Sequence, residues 1–360
     1  MNAAAHPLTL TKIAASALLL ALASSAHATT ALTATEILQQ FNLVVLGNDV
    51  SYSHVDGRTF VGGSLSGGDY VQHTSTTPAS SYAGLTVLGS VSGVNVNAAG
   101  LAVGGSVSNS NVNVGGAVVL GNSSNTNYNG SVPSYVAGTR NGGNANSGSV
   151  SSVSSNSTLQ SFSDAMYSTN FASVLSTASD SLTTLTANSS ITISGNKAIF
   201  NAVVNSQGVA VFTIDNDAWF FANITEYEFN LNGATTVIIN SDLSSGTLNA
   251  NFLGGSAQTI GAETIWNFSS ATSLTISSQW GGTVLATDAA VINYNNIEGT
   301  LVAASLTQYG EIHAQQFTGI LTAVPEPSTY GLMAIGLITV GAFARRRKAG
   351  SQNSAAALAA

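Results

Sequence analysis

Short apolar stretches cut by glycine and asparagine recur along the first half of the chain. The segment 85–100 (LTVLGSVSGVNVNAAG) is followed without interruption by 101–116 (LAVGGSVSNSNVNVGG), and a weaker copy occupies 117–130. In register, Val87, Val103 and Val119 align, as do Gly89, Gly105 and Gly121, and Asn95, Asn111 and Asn127. The apolar-x-Gly-polar step of this sixteen-residue unit also appears upstream in Val45-Leu46-Gly47-Asn48 and Val61-Gly62-Gly63-Ser64, with an insertion between Gly67 and Leu85. A unit this short cannot hold a helical hairpin but suits one coil of a β-solenoid. Glycine and asparagine tolerate the left-handed backbone of tight corners, so they should recur at equivalent positions. The valines then stack inward, while serines and asparagines lie outside or form ladders. The pattern leaves open a Greek-key sandwich with incidental self-similarity.

The stretch 130–156 is rich in Gly, Ser and Asn and reads as a flexible crossing loop. The period then changes. Leu159, Phe162, Met166, Phe171, Val174, Leu175, Ala178, Leu182 and Leu185 recur at helical spacing, which predicts one long amphipathic helix over about 159–186 lying along the solenoid. After Asn188, β-alternation returns at 191–193, 198–204, 209–214, 229–231, 236–239, 274–276 and 283–286, implying further coils of the same structure. The closing run 297–313 (IEGTLVAASLTQYGEIH) is similar to the opening GRTFVGGSLSG, so the first and last coils are expected to be neighbours, with the helix inserted between two solenoid segments. The expected fold is all-β dominated: a right-handed parallel β-solenoid with one helix alongside.

The two ends break this pattern. Lys12, an apolar run over 13–22 and Ala26-His27-Ala28 fit a signal peptide over 1–28, with Ala26 and Ala28 as the small residues of the cleavage site. At the other end, Pro325-Glu326-Pro327 precedes an apolar stretch closed by Arg345-Arg346-Arg347-Lys348. A transmembrane helix is expected over about 329–344, near the lower length bound of about 17 residues. The basic cluster should stay cytoplasmic, and residues 349–360 read as a disordered tail. Pro325 and Pro327 lack N–H groups and would keep the motif extended and accessible. This tripartite tail resembles the PEP-CTERM sorting signal of Gram-negative bacteria, from which it departs in the trailing segment 349–360. The resemblance implies exosortase processing of the segment 324–348, with Pro325, Glu326, Pro327, Arg345, Arg346 and Arg347 as the sorting motif, and a setting beside exopolysaccharide genes.

Composition narrows the chemistry. Only 7% of residues are charged and 44% are hydrophobic, which suits a repetitive secreted β-protein and argues against wholesale disorder. There is no cysteine, hence no disulfide and no thiolate ligand or nucleophile. Between Thr29 and Val324, three basic residues (Arg58, Arg140 and Lys197) face fifteen acidic ones. Such a surface repels nucleic-acid phosphates and anionic membranes, so no nucleic-acid partner is expected.

Candidate sites are few. His6, His27, His54, His73 and His313 show no paired metal-ligand spacing. No Gly-x-Ser-x-Gly elbow or phosphate cradle is present. Asp215-Asn216-Asp217 and Glu226-Tyr227-Glu228 place carboxylates two apart; Asp215 and Asp217 are the candidate calcium ligands, with a solvated polar turn as the alternative. No catalytic residue, no other cofactor and no enzymatic activity are expected.

The body over about 29–323 also resembles the choice-of-anchor A domain. The residues that carry the likeness are Leu43-Val44-Val45-Leu46-Gly47, 56–63 (DGRTFVGG), Trp266-Asn267-Phe268, Leu274-Thr275-Ile276, Ile297-Glu298-Gly299 and Gly310-Glu311-Ile312-His313. The resemblance implies an adhesive domain with the β-solenoid-plus-helix architecture of bacterial ice-binding proteins, interchangeable anchoring tails and no catalytic motif. Together these readings predict an exported protein, displayed at the cell surface or in the extracellular matrix of a Gram-negative bacterium. It would pass through signal peptidase and exosortase, with the C-terminal helix in the inner membrane before processing. There it would act as an adhesin or matrix-interaction module for extracellular glycan, exopolysaccharide or biofilm. A polysaccharide-modifying β-helix enzyme and an ice-binding protein remain the alternatives.

Overall fold

The computed structural model describes residues 30–321. The expected signal peptide with Ala26 and Ala28, the sorting motif Pro325, Glu326, Pro327, Arg345, Arg346 and Arg347, the expected transmembrane helix over about 329–344 and the expected tail 349–360 lie outside the described residues. Among those described, no helix is long and apolar enough to cross a membrane.

The chain winds a parallel β-solenoid whose coils each contribute strands to three faces. On the first face the strands follow one another in space as Val209–Thr213, Thr236–Ser241, Thr264–Phe268, the start of Thr283–Asn293, the start of Leu301–Gln308, Leu43–Val45, Thr59–Val61, Leu85–Val87, Leu101–Val103, Ala117–Val119 and Ser134–Val136. The chain therefore starts in the middle of the solenoid and winds to one end. It crosses back through helices, re-enters at the far end and winds home. The last coil closes on the first: Leu43 pairs with Leu301, Asp49 with Leu306 and Val55 with Ile312, as the likeness of the opening and closing runs predicted.

The repeat sets this stack. Leu85, Leu101 and Ala117 lie in one register, and Val87, Val103 and Val119 in another, all fully buried. Inward apolar columns of this kind supply the main stabilisation. On the third face the asparagines form a side-chain ladder. Asn127 donates to Asn111 (2.9 Å), Asn111 to Asn95 (2.9 Å) and Asn95 to Asp69 (2.6 Å). Each rung adds about 1 kcal/mol and holds the register against slippage.

First-face strands are buried on both sides and so do not alternate. Their outer residues Val44, Phe60, Leu285 and Val302 pack under α1 (Ala34–Gln40) and under α3 (Phe171–Thr183), through Ile37, Leu38, Phe171, Leu175 and Leu182. Ala102 and Val118 are covered by α2 (Ser157–Met166), through Leu159, Phe162 and Met166. Buried amides clamp α3 in place: Asn267 donates to the Ser179 carbonyl (3.0 Å) and Asn240 to that of Leu182 (2.8 Å).

Two expectations need correction. The single helix over about 159–186 is two helices, α2 and α3, broken at 167–170. Ser168 turns its hydroxyl back to the Ala165 carbonyl (2.9 Å), and Asn170 caps α3 by accepting from the Ser173 amide (3.1 Å). Short polar side chains of this kind compete with the helical backbone and start a new helix. The crossing loop over 130–156 is, in its first part, another coil: Ser134–Val136 pairs with Ala117–Val119 and Arg140–Asn141 with Ser123–Ser124. Corner-forming residues had masked it as a linker.

The coils between Asn188 and Ser278 are wider than the sixteen-residue ones, and the last ones return to about the short repeat, with Trp280 pairing with Ile297 and Ile297 with Ile312. Asn267 meets Asn240, 27 positions back, and Ser278 meets Asn249, 29 positions back. Aromatic rings fill the larger lumen, and an antiparallel hairpin, Ser190–Ser194 with Lys197–Asn201, extends the third side.

Candidate functional site at the coil seam

With the helices over the first face, the second is left open. Its outward residues fall into one column: Thr247, Thr275, Ile292, Thr307, Val50, Ser66, Ser92, Ser108, Ser124 and Asn141. None is charged. A parallel column contains Asn48, Ser64, Ser90, Ser106 and Asn122, whose side-chain oxygens each accept from a backbone amide of the next coil at 2.8–3.2 Å. At a rung spacing of about 4.8 Å these columns form a regular array of donors and acceptors, interrupted by the apolar Val50 and Ile292.

At the edge of this face, where first and last coils meet, three exposed tyrosines stack. Tyr309 lies between Tyr52 (centroids 5.1 Å apart, 9° between planes) and Tyr294 (5.2 Å, 6°). Parallel pairing puts each residue one coil above the next, so the ring faces cover one another while the phenol edges remain open to solvent.

Around the same corner, on the third face, the seam gathers acids and histidines. His313 Nδ1 meets Glu298 Oε1 at 2.8 Å and its Nε2 meets Glu311 Oε2 at 2.9 Å. His54 lies with Nδ1 3.7 Å from Glu311 Oε1 and Nε2 3.6 Å from Asp56 Oδ1. His73 bonds Asp56 Oδ2 at 2.9 Å, and Gln279 donates to Glu298 at 2.7 Å. The hydrogen bond that His313 donates to Glu298, against some desolvation, and the one it donates to Glu311 push His313 up to about 9. Burial disfavours ionisation of Glu298, but the bonds from His313 and Gln279 outweigh it and hold its carboxyl below the usual range. Glu311 is lowered first by its bond to His313.

The sign of the pH dependence follows. The stability contributed by His313 is full below its unfolded pKa of about 6.5 and is lost as pH rises through about 9. Glu298 and Glu311 contribute above the ordinary value and lose it as pH falls below it. Discounted for solvent screening of the partly exposed pair, wild type is expected to exceed His313→Gln in unfolding free energy by about 1–2 kcal/mol near pH 6, and by almost nothing near pH 10. Urea unfolding across that range checks this; a pH-independent difference would contradict it.

The sequence did not assemble this cluster, because the pairs His54/Asp56 and Glu311/His313 and the single Glu298 lie far from one another in the chain. The signal was present in Gly310-Glu311-Ile312-His313, where strand alternation puts Glu311 and His313 on one side, combined with the expected contact of first and last coils. Asp215 and Asp217 are placed elsewhere. Asp215 is exposed beside Asn216, whose φ is 54°, and Asp217 begins the helix Asp217–Asn223 and accepts from the Ser241 hydroxyl. Glu228 pairs with Lys197 at 2.6 Å. Arg58, in the opening motif, is buried and donates to the carbonyls of Gln40, Pro78, Tyr82 and Ala83 at 2.9–3.3 Å, which pins the insertion before Leu85.

A family model described as "Putative Ice-binding-like adhesive domain" matches residues 34–314, which is compatible with the likeness to choice-of-anchor A domains. A second, described as PEP-CTERM protein-sorting motif, matches residues 323–348 and implies processing by exosortase and export to the cell envelope or surface. No curated protein and no solved structure matches. The chain thus belongs to the ice-binding-like adhesive domain family and is an exported protein with a PEP-CTERM sorting signal.

Proposed function

We propose that the protein is a non-enzymatic adhesive module that holds the cell surface to neutral extracellular polysaccharide of the matrix or biofilm. The observation that carries this reading is the open second face, with one uncharged, mostly hydroxyl-bearing column in register across both halves of the solenoid, broken by Val50 and Ile292, and a second Ser/Asn column along the first half. A single hydrogen bond to a sugar hydroxyl adds only about 1 kcal/mol net, but contacts repeated along an extended polymer sum. Flat side chains that are already ordered by their ladder lose little entropy on binding. The stacked tyrosines border the face with phenol edges. The surplus of acidic residues disfavours anionic polymers and nucleic acid.

The test mixes the purified full chain with exopolysaccharide of the producing cells and follows co-sedimentation and polymer length. Co-sedimentation at unchanged length is expected. Shortened polymer would replace this reading with a solenoid enzyme, and absence of binding together with inhibited ice growth would replace it with ice binding.

A further inference from the structure

From the seam cluster we infer a binding site for a divalent transition metal of the Zn²⁺ class, with His54, Glu311 and His313 as ligands. Among the described residues this is the group whose ligand atoms all lie within 4.8 Å of one another. Two histidines turn a nitrogen each to the same carboxylate: His313 Nε2 at 2.9 Å from Oε2 and His54 Nδ1 at 3.7 Å from Oε1. Ligands about 2.0–2.2 Å from a tetrahedral Zn²⁺ stand roughly 3.3 Å apart, so these separations bracket what the ion needs with only small side-chain movement.

The second observation lies behind the ligands. Each histidine has a buried carboxylate at its remote nitrogen: Glu298 on Nδ1 of His313 at 2.8 Å, and Asp56 facing Nε2 of His54 at 3.6 Å. Asp56 is 3% exposed, and its Oδ1, the atom that faces His54, has no hydrogen-bond partner. A carboxylate behind a ligating histidine fixes its tautomer and raises its basicity. Once a metal displaces the His313 Nε2 proton to solvent, the three carboxylates around the two imidazoles leave a negative charge that a divalent cation would offset. Nitrogen ligands exclude Ca²⁺ and Mg²⁺, which collect oxygens.

His54 belongs to the first coil, Glu311 and His313 to the last, so the ion would clip these two coils together where the stack departs from chain order. The three side chains are 28%, 41% and 28% exposed, which leaves the fourth position to water or an outside ligand.

Titrating ZnCl₂ into the untagged, metal-stripped full chain by calorimetry is expected to show one ion per chain at micromolar or tighter Kd. The melting temperature should rise by about 5 °C at saturation. His313→Ala and Glu311→Gln should each weaken binding at least about tenfold, and Asp56→Asn by about ten- to hundredfold. His73→Ala, which removes no ligand, should change it less than about threefold. Glu311 is partly exposed, so Glu311→Gln should keep a cooperative melt without metal, lowered only by the loss of its bond to His313, which separates lost ligation from misfolding. Absence of Zn²⁺ binding, undiminished binding by His313→Ala and Glu311→Gln, or CaCl₂ binding at the same residues would each overturn the assignment.

Discussion

Trp266→Ala is expected to destabilise the domain by about 4 kcal/mol and to lower its melting temperature by roughly 10 °C. The indole is fully buried in the wide part of the solenoid, on a strand paired on both sides. Its ring packs against Trp280 (4.8 Å between centroids), Tyr227 (5.4 Å) and Phe200 (5.6 Å), and its Nε1 donates to the Gly281 carbonyl at 2.9 Å. Alanine would leave a large void among rings that cannot collapse independently, and would leave a buried carbonyl without its donor. A thermal melt reads the effect, and a fall of less than about 3 °C would show that these rings do not pack as a unit.

Asp49→Asn is expected to stabilise the protein at pH 8 by about 3 kcal/mol while changing little at pH 4. Asp49 points into the solenoid next to the seam, 1% exposed. Its Oδ2 has a long bond from the Tyr70 hydroxyl (3.4 Å) and its Oδ1 has no partner. Burial raises its pKa from 3.8 to about 7, against a small lowering by Tyr70. A carboxyl whose folded pKa lies above the unfolded value contributes its stability fully below 3.8 and loses it as pH rises through about 7. An amide of the same shape carries no charge to bury, so its advantage should grow as pH rises through that window and level off above it. Denaturant unfolding of both proteins at the two pH values tests this. An equal difference at both would exclude burial of the charge as the cause.

The sequence made the sixteen-residue coils legible because one period governs three structural levels. Val87, Val103 and Val119 repeat as letters, as strand register and as core column. The contact of first and last coils was legible for the same reason, through the likeness of 297–313 to the opening coil. Where the period fails, the reading failed. Residues 134–141 form a coil from the same Gly, Ser and Asn that elsewhere make linkers, and only pairing with 117–124 tells the two apart. The break between α2 and α3 depends on Ser168 and Asn170 bonding locally, which an apolar period does not encode.

The candidate site was less legible than the fold. The hydroxyl and amide columns follow from the repeat, but their continuity through Thr307, Ile292 and Thr275 depends on how the second half docks on the first. The histidine cluster needs residues 54, 298, 311 and 313 at once, and only closure of the solenoid supplies them. Such sites are invisible to motif spacing because no two of their elements are consecutive, apart from Glu311 and His313.

The central claim, adhesion through the open second face, is tested most directly by comparing polysaccharide co-sedimentation of wild type, the double variant Ser92→Glu/Ser108→Glu, and Thr177→Glu on the helix-covered side. The account predicts that the double variant loses at least about tenfold in binding while keeping its melting temperature, and that Thr177→Glu binds as wild type. Equal binding by all three would contradict it.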